Sequence, residues 1–576
     1  MNKMTQTATQ ASGAEIFLSA LSARGVDYVF GNAGTDFAPI IEAFSNAAAS
    51  GRTMPMPVTV PHENVAICMA QGVYLTTGRP QAVILHVNVG TANAICGLIN
   101  ASRERTPVFL AAGRTPVLEE GMTGARNAFI HWGQEMFDQG AMVREFVKWD
   151  YELRYPEHAA SAVDRALAIS MSEPKGPIYM TLPREVLSAH ATGPVPTPAT
   201  PPSPAPAPNA EALAEAAELL SAAKRPLLVC ASLGKTADEV AALTALAEAQ
   251  GIGVVAYRPR YMALPSAHPS HLGYDVTPHI GDADLVIVAE CDVPWIPSHH
   301  TLADDAKVLH LGVDPLFSRY PMRTFPVTAS VAGDAVSILQ ALATAPAADD
   351  VLAGRRSWLE AKQEKKRAAL AANPPKGGAG PSSNAWLAKC LADVQRPTDA
   401  FVLETPFPIV HMSFSEPGTY FSTPSAGGLG WGLGASLGVK LGSPERRVIA
   451  VVGDGSYMFG NPTPAHMMAR SMEIPTLTVI INNGMWAAVR RATLGVYPDG
   501  AAAQSNHAPL TYLEPTPDYE KVVEASGGYG EKVEHADDLP AALARALHAV
   551  EHEGRPAVLN VLTEYSDDQA KRDART

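Results

Sequence analysis

The stretch VVGDGSYMFGNPTPAHMMARSMEIPTLTVIINNGMW, residues 451–486, decides how the chain is read. One apolar run ends in Gly453-Asp454-Gly455, and a second ends in Asn482-Asn483-Gly484. Both runs are apolar throughout rather than alternating, the pattern of strands buried on both faces of a parallel sheet. Ligands collect at the carboxyl ends of such strands. If the two strands are neighbours, a carboxylate and a side-chain amide oxygen meet at one rim. That is a hard-oxygen set suited to Mg²⁺ with phosphate. Gly453 and Gly455 let backbone approach a diphosphate, and Ser456 adds a hydroxyl. Either half alone is equally an ordinary tight turn; both together, on strand ends, favour a metal–diphosphate site.

Working outward, the same alternation of short apolar runs and helical stretches recurs along all 576 residues. Five runs precede the proline-rich stretch, four lie in the middle and four in the last third. The expected fold class is α/β, with three consecutive doubly wound parallel-sheet domains at 11–193, 211–345 and 384–565. Eight prolines between Pro194 and Pro208 mark a semi-extended surface linker over 194–210. Residues 346–383 read as a charged helical connector that bridges domains. Residues 1–10 and 566–576 read as tails.

Hydrophobic residues make up 47% and charged residues 18%, ordinary values for a soluble globular chain. A net charge of −14 without basic runs speaks against nucleic-acid and anionic-membrane partners. Cys68, Cys96, Cys230, Cys291 and Cys390 have no CxxC spacing and read as small core residues of a reducing compartment. The N-terminus has no apolar stretch fit for a signal peptide or a membrane span, so the expected location is cytoplasmic.

Other residues follow strand ends. Glu63 sits between an extended run and an apolar helix start, where a helix-capping or first-turn carboxylate is the plain alternative to a catalytic acid. His86 follows the run QAVIL, 23 residues after Glu63. Gly430, Gly432 and Ala435 form a loose GxGxxA pattern, but without the strand and the acid that a dinucleotide site requires. Glycines that let a helix start pack on a flat ligand explain the stretch better.

GDG followed about 26 residues later by NN resembles the signature of thiamine-diphosphate-dependent enzymes. The three-domain order resembles the group of acetolactate synthase, pyruvate oxidase and benzoylformate decarboxylase. The resemblance implies a pyrimidine-binding first domain, a middle domain and a diphosphate-binding last domain. It implies Mg²⁺ on Asp454, Asn483 and the carbonyl of Met485, near Gly455 and Ser456. It implies Glu63 as the acid that protonates N1′ of thiamine diphosphate. SAGGLG is similar to the family's GGLG loop, so Gly427 and Leu429 would meet the aminopyrimidine and prop the cofactor. Because the family sets its cofactor between subunits, a homodimer is implied, within a homotetramer; FAD in the middle domain stays open.

For the chemistry, the resemblance implies attack on the carbonyl of a 2-oxo acid. His86 stands where benzoylformate decarboxylase has a proton-transferring histidine, against the plain reading of a strand-end histidine capped by backbone. Thr35, in FGNAGTD, stands where that enzyme has a substrate-contacting serine. His299 and His300 are offered for its second histidine, without clean spacing. Acetolactate synthases carry a Phe-Gln-Glu phrase that puts His131, Gln134 and Glu135 in view, with a solvated connector as the alternative. Met485, Trp486 and Val489 suggest an apolar pocket, and Arg490 or Arg491 an anionic contact. Two extra residues in FGNPTPAH imply a bulge near the diphosphate. The expected function is a lyase for non-oxidative 2-oxo acid decarboxylation with carboligation. The alternatives are an acetolactate synthase-type transferase and a cofactor-binding homologue without turnover.

Overall fold

The computed structural model describes residues 11–192 and 199–564. Both expected tails and residues 194–198 of the expected linker lie outside the described residues. Contacts divide the chain into two compact units, one of Met1–Pro204, Pro424–Pro444 and Gly460–Met468, the other of Ala205–Thr423, Glu445–Phe459 and Ala469–Thr576.

Each sheet has six strands and every pairing is parallel. The first unit holds β1 (Tyr28–Asn32), β2 (Met56–Thr59), β3 (Gln81–Leu85), β4 (Val108–Arg114), β5 (Asp150–Glu152) and β6 (Ile178–Pro183), in the order 2-1-3-4-6-5. The second unit holds two sheets. One contains β7 (Pro226–Cys230), β8 (Gly253–Ala256), β9 (His271–Gly273), β10 (Leu285–Ala289), β11 (Lys307–Gly312) and β12 (Ala329–Ala332), in the order 12-11-10-7-8-9. The other contains β13 (Ala400–Glu404), β14 (Tyr420–Ser422), β15 (Val448–Gly453), β16 (Leu477–Asn482), β17 (Tyr529–Val533) and β18 (Ala557–Leu562), in the order 14-13-15-16-18-17. The first and third sheets thus share one winding, and the middle one has another. Strand order reverses between β1 and β3, between β7 and β10, and between β13 and β15. These reversals open a crevice beyond the strand ends, where α/β sheets bind ligands.

Thirteen strands coincide with the apolar runs; β5, β9, β12, β14 and β17 do not. All five lie at sheet edges, where strands are short. One departure is local. The stretch QAVILHVNVG stays largely apolar to Gly90, yet a helix starts at Val87, whose φ is 39°.

Within the expected connector, residues Asp349–Ala372 form one helix that packs on helices of the middle sheet. Its Arg355 is fully buried and donates to Ala223 O (2.9 Å), Gln250 O (2.8 Å) and Leu220 O. Those carbonyls terminate two helices, Ala210–Ala222 and Ala237–Gln250, so one guanidinium caps both. The described linker residues are mostly exposed and without helix or strand. Thr200 N is held by Asp164 in the first unit, and Pro206 O by Asp334 N in the second. No helix among the described residues is long and apolar enough to cross a membrane.

Candidate functional site

In the third sheet β15 and β16 are neighbours, with Gly453 beside Ile481 in register. The two strand ends quoted first therefore do meet. Asp454 is buried, and its carboxylate accepts from the N–H groups of Gly455 and Gly484, both at 2.8 Å. Burial raises its pKa, against those backbone donors. No lysine, arginine or histidine pairs with it among the described residues, and a buried charge without a partner is what a bound cation would satisfy. The two asparagines separate in role. Asn482 turns into the sheet, where its amide donates to Asn560 at 3.0 Å and Asn560 donates to Glu520 at 2.8 Å. Asn483 stays at the rim, half-buried, accepting from Met485 N at 3.1 Å.

A Cβ on Gly453 would have Ser456 Oγ and Thr405 Oγ1 both at 3.8 Å, an open cradle edged with hydroxyls beside the β13/β15 reversal. Gly455 also makes room for a neighbouring side chain. A Cβ there would lie 2.1 Å from the Trp486 ring, so its bareness seats that indole, which also meets Phe459 edge-on at 5.7 Å. Trp486 is half-buried and Val489 exposed. Arg490 is fully buried and donates to Asn506, whereas Arg491 is exposed. The bulge expected in FGNPTPAH is a helix break. One helix ends at Phe459, the next starts at Pro462, and Asn461 takes φ 50° between them.

In the first unit Glu63 opens the helix Glu63–Thr77, with His62 at the cap accepting from Asn64 N at 3.1 Å. Glu63 is therefore a first-turn carboxylate, 8% exposed, and its Oε2 accepts from Asn93 at 3.1 Å. Gly90 lies beside it, where a Cβ would sit in ordinary contact with Oε1, 3.6 Å away. The helix Trp431–Gly442 crosses this helix closely. A Cβ on Gly72 would lie 2.2 Å from Ala435 O, and one on Gly438 2.1 Å from Met69 O. The glycine-rich stretch thus serves helix–helix approach as well as the loop before it, where the reading placed only ligand packing. In that loop Gly427 has φ 66°, Gly428 exchanges two hydrogen bonds with Asn100 (3.1 and 2.8 Å), and Leu429 O faces the Cys96 thiol at 3.8 Å.

His86 caps the helix Val87–Arg103 at the β1/β3 reversal. Its Nδ1 lies 2.5 Å from Asp36 Oδ1 and its Nε2 3.1 Å from Gln134 Nε2. The close approach is built in: a Cβ on Gly34 would strike the ring, and one on Gly113 would strike Asp36. The hydrogen bond to Asp36 raises the His86 pKa, with burial opposing and the Asp36 and Glu63 charges adding. Thr35 is exposed at the same turn. Gln134 is the member of the 131–135 segment that reaches His86. His131 is buried and held neutral, by burial first and then by the Arg184 and Arg126 charges. Glu135 is tied to Arg114 (2.8 Å), Thr115 and Arg126. In the second unit His300 is held by Ile296 O and Thr277 Oγ1, and His299 is exposed beside it.

Four residues of these sites escaped sequence reasoning: Asp36, Asn93, Asn100 and Thr405. Asn93 and Asn100 lie seven apart on one helix, two turns on the same face, a spacing that marks both. Asp36 stood inside FGNAGTD, next to the threonine that was singled out. At the middle-sheet reversal the crevice holds the protein's own side chains. Glu290 accepts from Val313 N at 2.8 Å, Arg260 pairs with Asp292 at 2.8 Å, and Arg323 donates to Asp292 O at 2.7 Å.

Three models of one family match the chain. They are the thiamine pyrophosphate enzyme N-terminal TPP-binding domain over residues 11–142, central domain over 213–342 and C-terminal TPP-binding domain over 408–561. The benzoylformate decarboxylase of Pseudomonas aeruginosa is 28% identical, covering 94% of this chain and 97% of its own. The acetolactate synthase large subunit of Haemophilus influenzae is 25% identical, covering 93% and 92%. Among solved structures, a thiamin diphosphate-dependent enzyme from Mycobacterium smegmatis aligns at TM-score 0.76 and 27% identity, over 96% of this chain and 99% of that one.

Proposed function

The chain belongs to the thiamine pyrophosphate enzyme family, and on that premise we propose that it is a Mg²⁺-dependent lyase that removes CO₂ from a 2-oxo acid. When bound, thiamine diphosphate supplies the carbon nucleophile and the electron sink. The residues present fit it: a buried, cation-free Asp454, a rim Asn483 and the Met485 carbonyl for Mg²⁺, and the Gly453–Ser456 cradle for the diphosphate. Gly427 and Leu429 lie on the loop assigned to the aminopyrimidine. Glu63 is the acid assigned to N1′, kept from water and oriented by Asn93. Diphosphate and pyrimidine residues fall in different units, and we infer that two copies of the chain complete each site, within a dimer or tetramer.

The observation that carries the lyase reading is the Asp36–His86 pair. Asp36 accepts the Nδ1 proton, which fixes the ring and leaves Nε2, an acceptor for the Gln134 amide, as the atom that can take up a proton and pass it to the carbon that loses its carboxylate. Thr35, exposed on the same turn, is assigned to the substrate carboxylate, and Trp486 and Val489 to its apolar part. His299, the more exposed of its pair, is assigned as a second proton carrier, with His300 beside it; His131, buried and neutral, backs the wall. No role is assigned to FAD. Five free thiols among the described residues suit a cytoplasmic setting.

A second reading, transfer to another 2-oxo acid, draws on Gln134, which the acetolactate synthase-like phrase brings to His86. Single 2-oxo acids, aliphatic and aromatic, with thiamine diphosphate and Mg²⁺ separate the two. Aldehyde with CO₂, with or without acyloin from ligation to that aldehyde, supports the lyase, a 2-hydroxy-2-acyl acid the transferase, and no CO₂ from any of them refutes both.

A further inference from the structure

The second unit holds a chamber of about 710 Å³, lined by none of the residues assigned above and within the size range of small-molecule sites. Three segments wall it: the loop after β9, one face of the Asp349–Ala372 helix, and Phe407–Val410 beyond β13. Leu272, Tyr274, Phe407 and Ile409 make it chiefly apolar.

Its polar groups are few and unequal. Lys362, Lys365 and Lys366 stand at i, i+3 and i+4, hence on one helix face. Lys362 is spoken for, bonded to Asp282 at 2.5 Å and Pro278 O at 2.7 Å. Lys366 bonds His271 O at 2.9 Å, which engages one of three ammonium protons. Lys365 is exposed and pairs with no acid among the described residues. Asp275, the other acid in the wall, accepts from Thr277. Opposite charges in the wall therefore leave cationic capacity on Lys365 and Lys366. His279 is 5% exposed, and its Nδ1 is buried without a hydrogen-bond partner. Burial and the Lys362 charge push its pKa down to about 4, so at neutral pH that nitrogen is an acceptor waiting for a donor.

From the lysine pair, the apolar walls and the unpartnered His279 nitrogen, we propose that this chamber binds an organic anion: a carboxylate or phosphate head on an apolar body that carries a hydrogen-bond donor. The head meets Lys365 and Lys366, and the body lies against Leu272, Phe407 and Ile409. Phe407 follows Thr405, at the diphosphate cradle, by two residues, so an occupant here presses on the same loop. The proposal stands independently of the reaction assigned above.

Titration of the intact protein with decanoate, octyl phosphate and uncharged octanol tests it, with the His279 ring ¹⁵N resonances as a second readout. The expected result is saturable binding of an anion, one per chain, with a shifted His279 resonance. The tighter of the two anions names the head group. Lys365→Glu, at an exposed position, weakens the anions at least about ten-fold, leaves octanol unchanged and leaves thiamine diphosphate binding intact, since one charge-assisted contact is worth about 1.5–3 kcal/mol. Octanol binding as tightly as the anions, equal affinity in Lys365→Glu, an unmoved His279 resonance, or no saturable binding each overturns it.

Discussion

Asp36 shows how a single buried carboxylate sets the behaviour of the residue beside it. The hydrogen bond to Asp36 is the largest influence on the His86 pKa and raises it, while burial pulls it down. Asp36→Asn removes the negative charge behind that bond and keeps the burial, so the His86 pKa should fall from above 6.5 to below it, as read by NMR titration. The basic limb of the decarboxylation pH profile moves to lower pH with it. The same sign governs stability: with a raised folded pKa, the pair's contribution is complete below pH 6.5 and fades as pH rises through the folded value. An unshifted His86 titration in Asp36→Asn contradicts this. Glu63→Gln keeps the bond to Asn93 but removes the acid, and kcat should fall about 10²–10⁴-fold with the fold intact. The residue scale was also where the sequence was least complete. Glu63, His86, Asp454 and Asn483 each follow a strand end and were legible there. Asp36 was not, because a lone acid after a strand gives no hint of which ring will pack against it.

At the scale of elements, the interior strands were plain and the edges were not. β15 and β16 are continuously apolar and buried, whereas β5 and β17 are short and half-covered, with charged residues that suit an edge. The composition of the helix Asp349–Ala372 marks a charged helix but not its partners, which the burial of Arg355 reveals. Arg355→Met leaves carbonyls of two helix ends unpaired, and chemical denaturation should show about 3 kcal/mol of lost stability, with little change if the cap is incidental. The glycines of residues 427–442 have a second partner that their spacing does not reveal, the helix Glu63–Thr77. Gly72→Val sets a side chain against the Ala435 carbonyl and should cost about 3 kcal/mol or more, because backbone on both sides cannot yield. A Gly72→Val variant that unfolds at the wild-type midpoint would show that the crossing is not tight.

For the whole molecule, the first and third sheets repeat one winding, so each has a reversal, β1/β3 and β13/β15, with one crevice beside it. The proposed function assigns half of a cofactor site to each crevice. If two copies of the chain complete each site, Glu63→Gln and Asp454→Ala are each inactive alone. Mixed and allowed to exchange subunits, they regain activity, because one site per mixed dimer is intact. No recovery after demonstrated exchange places both halves in one copy. The central claim is that Asp454 and Asn483 hold a divalent ion that in turn holds a diphosphate. Calorimetric titration of the protein with thiamine diphosphate tests it most directly, with Mg²⁺ and after EDTA treatment. The wild type should bind one equivalent per chain with Mg²⁺ and lose that binding without it, and Asp454→Ala should bind weakly in both conditions. Equal affinity in the wild type and Asp454→Ala, or binding indifferent to Mg²⁺, would contradict it.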